Sequence, residues 1–594
     1  MALFVPTVGA LLQAPHAKAH LLACKAAHDN LSGSVSAAHD EGDSAEEPRG
    51  SAFVTRRTAL QTAVCATTAL WLPRASQAAA QGSELFVQSP SIDSKAGSYL
   101  AALPIPKELE AIAARVKSFV LPNGARFVVL ERSVAPTVSF VSYADVGGVD
   151  EPDGKTGAAH FLEHLAFKGT TSIGTRDWGK EQRVLEQLTA LEAERASMLA
   201  ELSSLNAANA GKNKRSLKTR LDETERKILV LEEEADAFVE PNEFSKIIQN
   251  EGGVGLNAAT TIDATKYFYN LPSNKLELWF ALESQRFMDP VFRQFNKEKQ
   301  VVLEERKLRV DNSSIGAFLE KFCLTAFDTH PYRRPVIGFE QDIQALSTRD
   351  IREFFERKYT PDKLCFVIVG DVKLARVRQL AQQYFGSWHG PNDLTSNAVL
   401  VPPPPPEAPQ TAKKEFSVKL NAEPWYACGY HVPKVTDSRT TAFQCASGVL
   451  SGGRTSRLYK NVVQDNALAL TAAFGIGFPG DKYDNLAITY ALPGVGKSIS
   501  DVAAAIDEQL MSVTVRVNAD ELARVKKGAK LNLLGAFQSN ESMANVLAEY
   551  AVLLGDPLDA FRAVSALEAI EQDDVSSACA SVFTEANKTE GRLI

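Results

Sequence analysis

Residues 157–170 read GAAHFLEHLAFKGT. His160 and His164 stand four apart, with Glu163 beside the second. On a helix such positions share a face, with Cβ atoms about 6 Å apart, so both imidazoles can reach one metal ion. Gly157 before the apolar run and FKGT after it frame a short amphipathic helix. Two imidazoles and one carboxylate suit zinc, and three protein ligands leave a position for water. Glu163 points to another azimuth, which fits it to move a proton and not to bind the metal. The order is the reverse of the HExxH pattern of zinc peptidases.

A histidine pair at this spacing also arises by chance on helix surfaces. Only five histidines lie beyond residue 80 (His160, His164, His330, His389 and His431), and two of them form this pair. Downstream, FNKEKQVVLEERKLR at 295–309 is a carboxylate-rich helical segment able to supply a third ligand. His389 and His431 lack any partner pattern, and His330 in HPYRRP is read as structural.

The chain around this stretch is that of a globular protein. It has 594 residues, 45% hydrophobic and 23% charged, enough for three or four ordinary domains. A net charge of −8 and a pI near 5.8 leave no basic footprint for nucleic acid. Cys24, Cys65, Cys323, Cys365, Cys428, Cys445 and Cys579 are scattered without CxxC spacing, so neither a disulfide framework nor a zinc ribbon is expected. No stretch approaches the roughly 20 apolar residues that span a bilayer.

Residues 1–80 read as targeting sequence. TRRTALQTAVCATTALWLPRASQAAA at 55–80 has paired arginines, a short apolar run and a small-residue end, similar to a twin-arginine export signal. The first 28 residues carry no Asp or Glu, as in organellar transit peptides. Together these point to a plastid, with the thylakoid lumen as the destination. The acidic patch DEGDSAEE at 40–47 fits a transit peptide poorly, which keeps a mitochondrial or secretory presequence open.

VPPPPPEAPQ at 401–410 favours a stiff, extended connection. As part of a linker at 396–411 it divides an N-terminal half, 105–395, from a C-terminal half, 412–594. Strand-like runs (ARFVVLERS, TVSFVSYADVG, KYFYNLP, LCFVIVGDV, EPWYACGYHVP, LAITYALPG) alternate in both halves with helix-like ones such as LELWFALESQRFM and SISDVAAAIDEQLMSV. The mixture predicts an α+β or α/β architecture. Between 178 and 240, leucines recur at helical spacings on both sides of NAANAGKNK, predicting an inserted antiparallel helical hairpin. It serves as a packed structural insertion or as a docking arm.

GAAHFLEHLAFKGT, GGVGLNAATT, ALESQRFMDPVF, EKQVVLEER, HPYRRPVIG and LSGGRTSRLY occur in the order found in the pitrilysin/insulinase (M16) family of zinc metallopeptidases. The resemblance covers about residues 107–594 and is narrower to the short form, which includes the mitochondrial processing peptidase β subunit and bacterial relatives. It implies an α+β fold of two homologous halves, each an antiparallel sheet covered by helices, the second half lacking HxxEH. It also implies an enclosed chamber between the halves. Glu305 follows His164 by more than the family interval, and the 178–240 insertion accounts for the excess.

By motif position, the resemblance makes His160, His164 and Glu305 the ligands of one Zn2+ and Glu163 the general base. Glu298 orients a zinc histidine, and Glu304 is the alternative ligand. Asn257, Ala258 and Ala259 fall on the strand that pairs with a peptide substrate. An Arg and a Tyr that many members carry in the second half are replaced by Val463 and Leu470 in VVQDNALAL. Two functions stay open: a zinc endopeptidase or oligopeptidase acting on unfolded peptides, or a non-catalytic or partner-dependent subunit of a heteromeric processing peptidase whose homologous partner supplies that pair.

Overall fold

A computed structural model describes residues 98–204, 212–390 and 403–594. The targeting region predicted for residues 1–80 and the start of the proline-rich linker lie outside the described residues.

The first half is built on a six-stranded sheet: β1 (Val116–Val120), β2 (Arg126–Glu131), β3 (Thr137–Ala144), β4 (Val254–Thr260), β5 (Thr265–Pro272) and β6 (Leu364–Gly370), in the order β1-β2-β6-β3-β5-β4. β2 and β6 run parallel and every other pair is antiparallel. All of β6, LCFVIVG, is buried, as expected of a central strand covered on both faces. Its side chains alternate between two cores. Phe366 and Ile368 join Phe127 and Val129 in the core of the first half, while Cys365, Val367 and Val369 join Val128 and Leu130 against the second half.

The second half has β7 (Lys414–Val418), β8 (Trp425–Val432), β9 (Ala469–Phe478), β10 (Asn485–Pro493) and β11 (Lys588–Leu593), in the order β7-β11-β8-β10-β9. Again one pair, β7 with β11, is parallel and the others antiparallel. The two sheets therefore repeat one topology, in which β2, β6, β3, β5 and β4 correspond to β7, β11, β8, β10 and β9. The expectation of antiparallel sheets holds except for this one pair in each, closed where the last strand of a half returns beside its first long strand.

The helices follow the same repeat. In the first half they include α1 (Lys107–Ala113), α2 (Ala158–Leu165), α3 (Trp178–Ser204), α4 (Lys212–Asp236), α5 (Glu243–Asn250), α6 (Leu276–Met288), α7 (Phe295–Arg306), α8 (Ser314–Ala326), α9 (Glu340–Ala345), α10 (Thr348–Lys358) and α11 (Leu374–Phe385). In the second they include α12 (Thr440–Ser451), α13 (Ile499–Val515), α14 (Ala519–Ala536), α15 (Asn540–Glu549), α16 (Asp559–Ala569) and α17 (Gln572–Val582). α12 follows the second strand of its sheet as α2 follows β3.

α3 and α4 are the predicted hairpin, packed through Val184, Met198, Leu217 and Ile228. Its base is locked into the first half. Arg293, just before α7, donates Nε and Nη2 to Glu181 at 2.7 and 3.1 Å, with both side chains almost wholly buried. The remaining nitrogen of that guanidinium and Nη2 also reach the carbonyls of Lys168, Ile173 and Thr170.

Each half lends a helix to the other's sheet. α8 lies on β7 and β11, with Phe318 and Phe322 against Phe416 at ring-centroid distances of 5.6 and 6.0 Å. α15 lies on β3 and β6 and buries Met543, Ala544 and Leu547 there. Burying a Phe, Leu or Met side chain stabilises by about 1.5–3 kcal/mol. Through α15 the two halves share a core among the described residues, with Met543, Ala544 and Leu547 beside Val128, Val367 and Val369. The later part of the linker is also fastened: Glu407 accepts N–H groups of Asp328, Thr329 and His330 at 2.7, 3.0 and 2.8 Å.

Candidate metal centre

α2 starts at a glycine for a steric reason. Gly157 has φ of +87°, and a Cβ there would stand 2.6 Å from the Ile337 carbonyl oxygen. The Glu151 carboxylate accepts the N–H groups of Gly157 and Ala159 at 3.0 and 2.8 Å, taking up donors that the first turn leaves free. Ala158, Ala159, Phe161, Leu162 and Leu165 are buried, which turns Glu163 and His164 toward the open side. α7 packs alongside, with the Phe161 and Phe295 rings 4.9 Å apart.

This packing brings the two motifs together. Glu305 Oε2 lies 3.6 Å from His160 Nε2 and 3.5 Å from His164 Nε2, and the three ligand atoms are all within 4.8 Å of one another. Tetrahedral ligands at about 2.0–2.1 Å from a zinc ion lie roughly 3.4 Å apart, so the donor set and its spacing fit that metal. Among the described residues this is the one such group of His, Cys, Asp and Glu. Glu298, two turns before Glu305, stands with Oε2 3.4 Å from His164 Nδ1 and Oε1 2.5 Å from Lys168 Nζ. A carboxylate on the far nitrogen fixes ring orientation and tautomer. Glu304 faces solvent, its side chain 64% exposed and paired with Lys307 at 2.7 Å. It cannot exchange places with Glu305.

The electrostatics separate the two rings. Burial pushes His160 down to about 4, so its imidazole is neutral at physiological pH. Burial lowers His164 too, but the carboxylates of Glu298 and Glu305 outweigh it and hold the ring near 9. Burial acts upward on Glu305, yet His164, His160 and Arg309 overcome it and bring the carboxyl to about 2. Glu163 is raised by burial, against a hydrogen bond from Thr260. Thr260 Oγ1 donates to Glu163 Oε2 at 2.5 Å, which ties the candidate base to the end of β4.

β4 is the edge strand of its sheet, and its outer side has no partner strand among the described residues. Asn257, Ala258 and Ala259 lie on it, Asn257 and Ala259 exposed. The Asn257 side-chain oxygen accepts the Ala258 N–H at 2.9 Å, so the carboxamide blunts the edge in this state. Val463 is half-buried within the irregular helix Tyr459–Gln464, and Leu470 is exposed on β9. His330 packs against Tyr332, and His431 Nε2 faces the Ala326 carbonyl at 3.1 Å, both away from the pair.

Sequence reasoning passed over Thr260, Lys168 and Arg309. Arg309 stands four residues after Glu305 with Nη2 2.8 Å from its Oε1, a spacing that was readable. Thr260 gave no signal, because its role depends on where a strand end meets a helix.

Comparison with known proteins gives the same grouping. The model "Insulinase (Peptidase family M16)" matches residues 127–207, and "Peptidase M16 inactive domain" matches residues 345–529. The chain belongs to peptidase family M16. A Helicobacter pylori protein named "Zinc protease PqqE" is 27% identical over 73% of this chain and 83% of its own length. An Arabidopsis thaliana protein named "Probable mitochondrial-processing peptidase subunit beta, mitochondrial" is 20% identical over 77% and 74%. The crystal structure of a protease from Helicobacter pylori superimposes with a TM-score of 0.66 at 23% identity, over 81% of this chain and 99% of that one. Among the described residues no helix is long and apolar enough to cross a membrane.

Proposed function

We propose that this M16 chain is a zinc metallopeptidase that hydrolyses unfolded peptides. The observation that carries the reading is the meeting of His160 Nε2, His164 Nε2 and Glu305 Oε2 from two separate helices, with Glu163 next to them. His160, His164 and Glu305 would hold one zinc ion, which when bound acts as a Lewis acid and makes water acidic near neutral pH. Glu298 keeps the His164 ring turned to the metal side, and Lys168 keeps Glu298 in place. A peptide adds as a strand along β4 at Asn257–Ala259, its backbone displacing the Asn257 carboxamide from the Ala258 N–H. Glu163 takes the proton of the attacking water and passes it to the leaving amine. Such general acid–base help is worth about 10²–10⁴-fold.

Val463 and Leu470 favour a second reading, in which the chain needs a homologous partner to supply an Arg and a Tyr near the cut bond. The relative named as a processing-peptidase subunit supports it. An organelle or an exported compartment suits either reading. The plastid rests on residues 1–80 alone.

A peptide-cleavage assay with and without a chelator, run on the wild type and on Glu163→Gln, tests the first reading. Chelator-sensitive cleavage by the wild type, lost in a variant that still binds zinc, is expected. Undiminished cleavage by Glu163→Gln refutes it. Cleavage that appears only when a homologous chain is added selects the second.

A further inference from the structure

β4 has a partner strand on one side only. It is an edge strand, most of its side chains are exposed, and its pairing with β5 is broken between Val254 and Asn257. Besides its pairing with β5 and its packing on α2 and α5, the turn at its end, residues 261–264, where it folds back into β5, sets its position. That turn is bound from two sides. The loop before α2 holds it through the Gly148 and Val149 N–H groups, which donate to the carbonyls of Thr261 and Ile262 at 3.3 and 2.8 Å. The other side belongs to the second half.

Asp263 is the contact. Its side chain is buried and accepts three hydrogen bonds: the Tyr332 hydroxyl at 2.6 Å on Oδ1, and the N–H groups of Asp481 and Lys482 at 2.6 and 3.1 Å on Oδ2. Tyr332 OH in turn accepts the Tyr483 N–H at 3.1 Å. Residues 479–484 connect β9 to β10 and so stand in the second half where 261–264 stand in the first. The two turns meet closely: a Cβ on Gly480 would lie 2.5 Å from Asp263 Oδ2. Lys482 also reaches back to Asp145 at 2.6 Å. The network ends three residues from Thr260, whose hydroxyl holds Glu163.

We infer that Asp263 is a positioning residue through which the second half fixes the register and angle of the β4 edge relative to Glu163. This rests on β4 being the peptide-pairing strand. The half without a metal site then acts on the reaction by setting the strand that a peptide must join. Replacing the carboxylate by a carboxamide puts a donor where an acceptor is needed, and a hydrogen bond to a charged group is worth enough for about a tenfold effect.

The test uses the full chain loaded with zinc, as wild type, Asp263→Asn and the milder Tyr332→Phe. Amide hydrogen exchange reads residues 254–260 and, as a control, 158–165. Exchange at 254–260 is expected to quicken about tenfold in Asp263→Asn and less in Tyr332→Phe, with 158–165 unchanged, and KM for an extended peptide to rise by about the same factor while kcat stays within about twofold. Unchanged exchange at 254–260 overturns the inference. So does equal quickening in both segments, which a purely structural role gives, and so does a fall in kcat at constant KM. If the wild type cleaves nothing by itself, the reading of a peptidase active alone fails while the exchange arm still decides the role of Asp263.

Discussion

α2 and α12 hold the same place in the two halves, yet they are used in opposite ways. α2 buries one side and turns Glu163, His164 and the edge of His160 toward α7 and β4. α12, TTAFQCASGVLS, carries no His, Asp or Glu and is buried continuously from Thr440 to Leu450. One topology thus serves either as a cradle for charge or as a plug of core. The difference lies in what covers the helix. α2 is left open beside an edge strand, where ionised groups keep some water, whereas α12 is enclosed, where an unpaired charge would cost several kcal/mol.

Two substitutions probe that contrast, the larger effect first. Glu163→Gln in α2 should lower kcat/KM by about 10²–10⁴-fold with zinc content unchanged. Cys445→Ala in α12 should lower stability and leave the activity of the folded fraction intact. Steady-state kinetics beside a thermal melt of each variant checks this, and equal losses of turnover in both would erase the distinction between the halves.

Stability sharpens the comparison next. Glu181→Ala leaves the Arg293 guanidinium buried and unpaired, so about 3–5 kcal/mol should be lost in denaturant unfolding. Lys297→Ala removes a pairing with Asp236 in which the lysine is exposed, and it should cost at most about 1 kcal/mol. If the two cost the same, the hairpin base is not the fastening for α7 described above. The smaller effect on turnover falls on the strand side. Thr260→Val takes the hydroxyl from Glu163, and kcat should drop about tenfold, the worth of one hydrogen bond to a charged group.

The first half was largely legible because its signals are local. β2, β3, β5 and β6 are apolar runs, α3 and α4 have helical leucine spacing, and the histidine pair lies within one turn. β11, KTEGRL, was passed over although it pairs with β7 and β8 inside its sheet. Lys588, Thr589 and Glu590 are buried there, with Lys588 paired to Asp507 at 2.7 Å and Glu590 to Lys413 at 3.1 Å. A strand whose inner face is charged has no hydrophobic alternation to read. β9, ALTAAFGIGF, was missed for a related reason, since alanine and glycine give weak strand propensity. At the metal centre, the choice between Glu304 and Glu305 turned on a helix azimuth that spacing alone left open. The exchange of α8 and α15 between halves had no sequence signal at all, because it is a contact between distant segments.

Glu305, and not its neighbour Glu304, stands with His160 and His164. Zinc stoichiometry and affinity, measured by metal analysis and competition with a chelating dye on wild type, Glu304→Gln and Glu305→Gln, test this most directly. One zinc per chain is predicted for the wild type and Glu304→Gln, and an affinity at least about tenfold weaker for Glu305→Gln. Equal affinity in all three proteins, or loss on changing Glu304 alone, contradicts it.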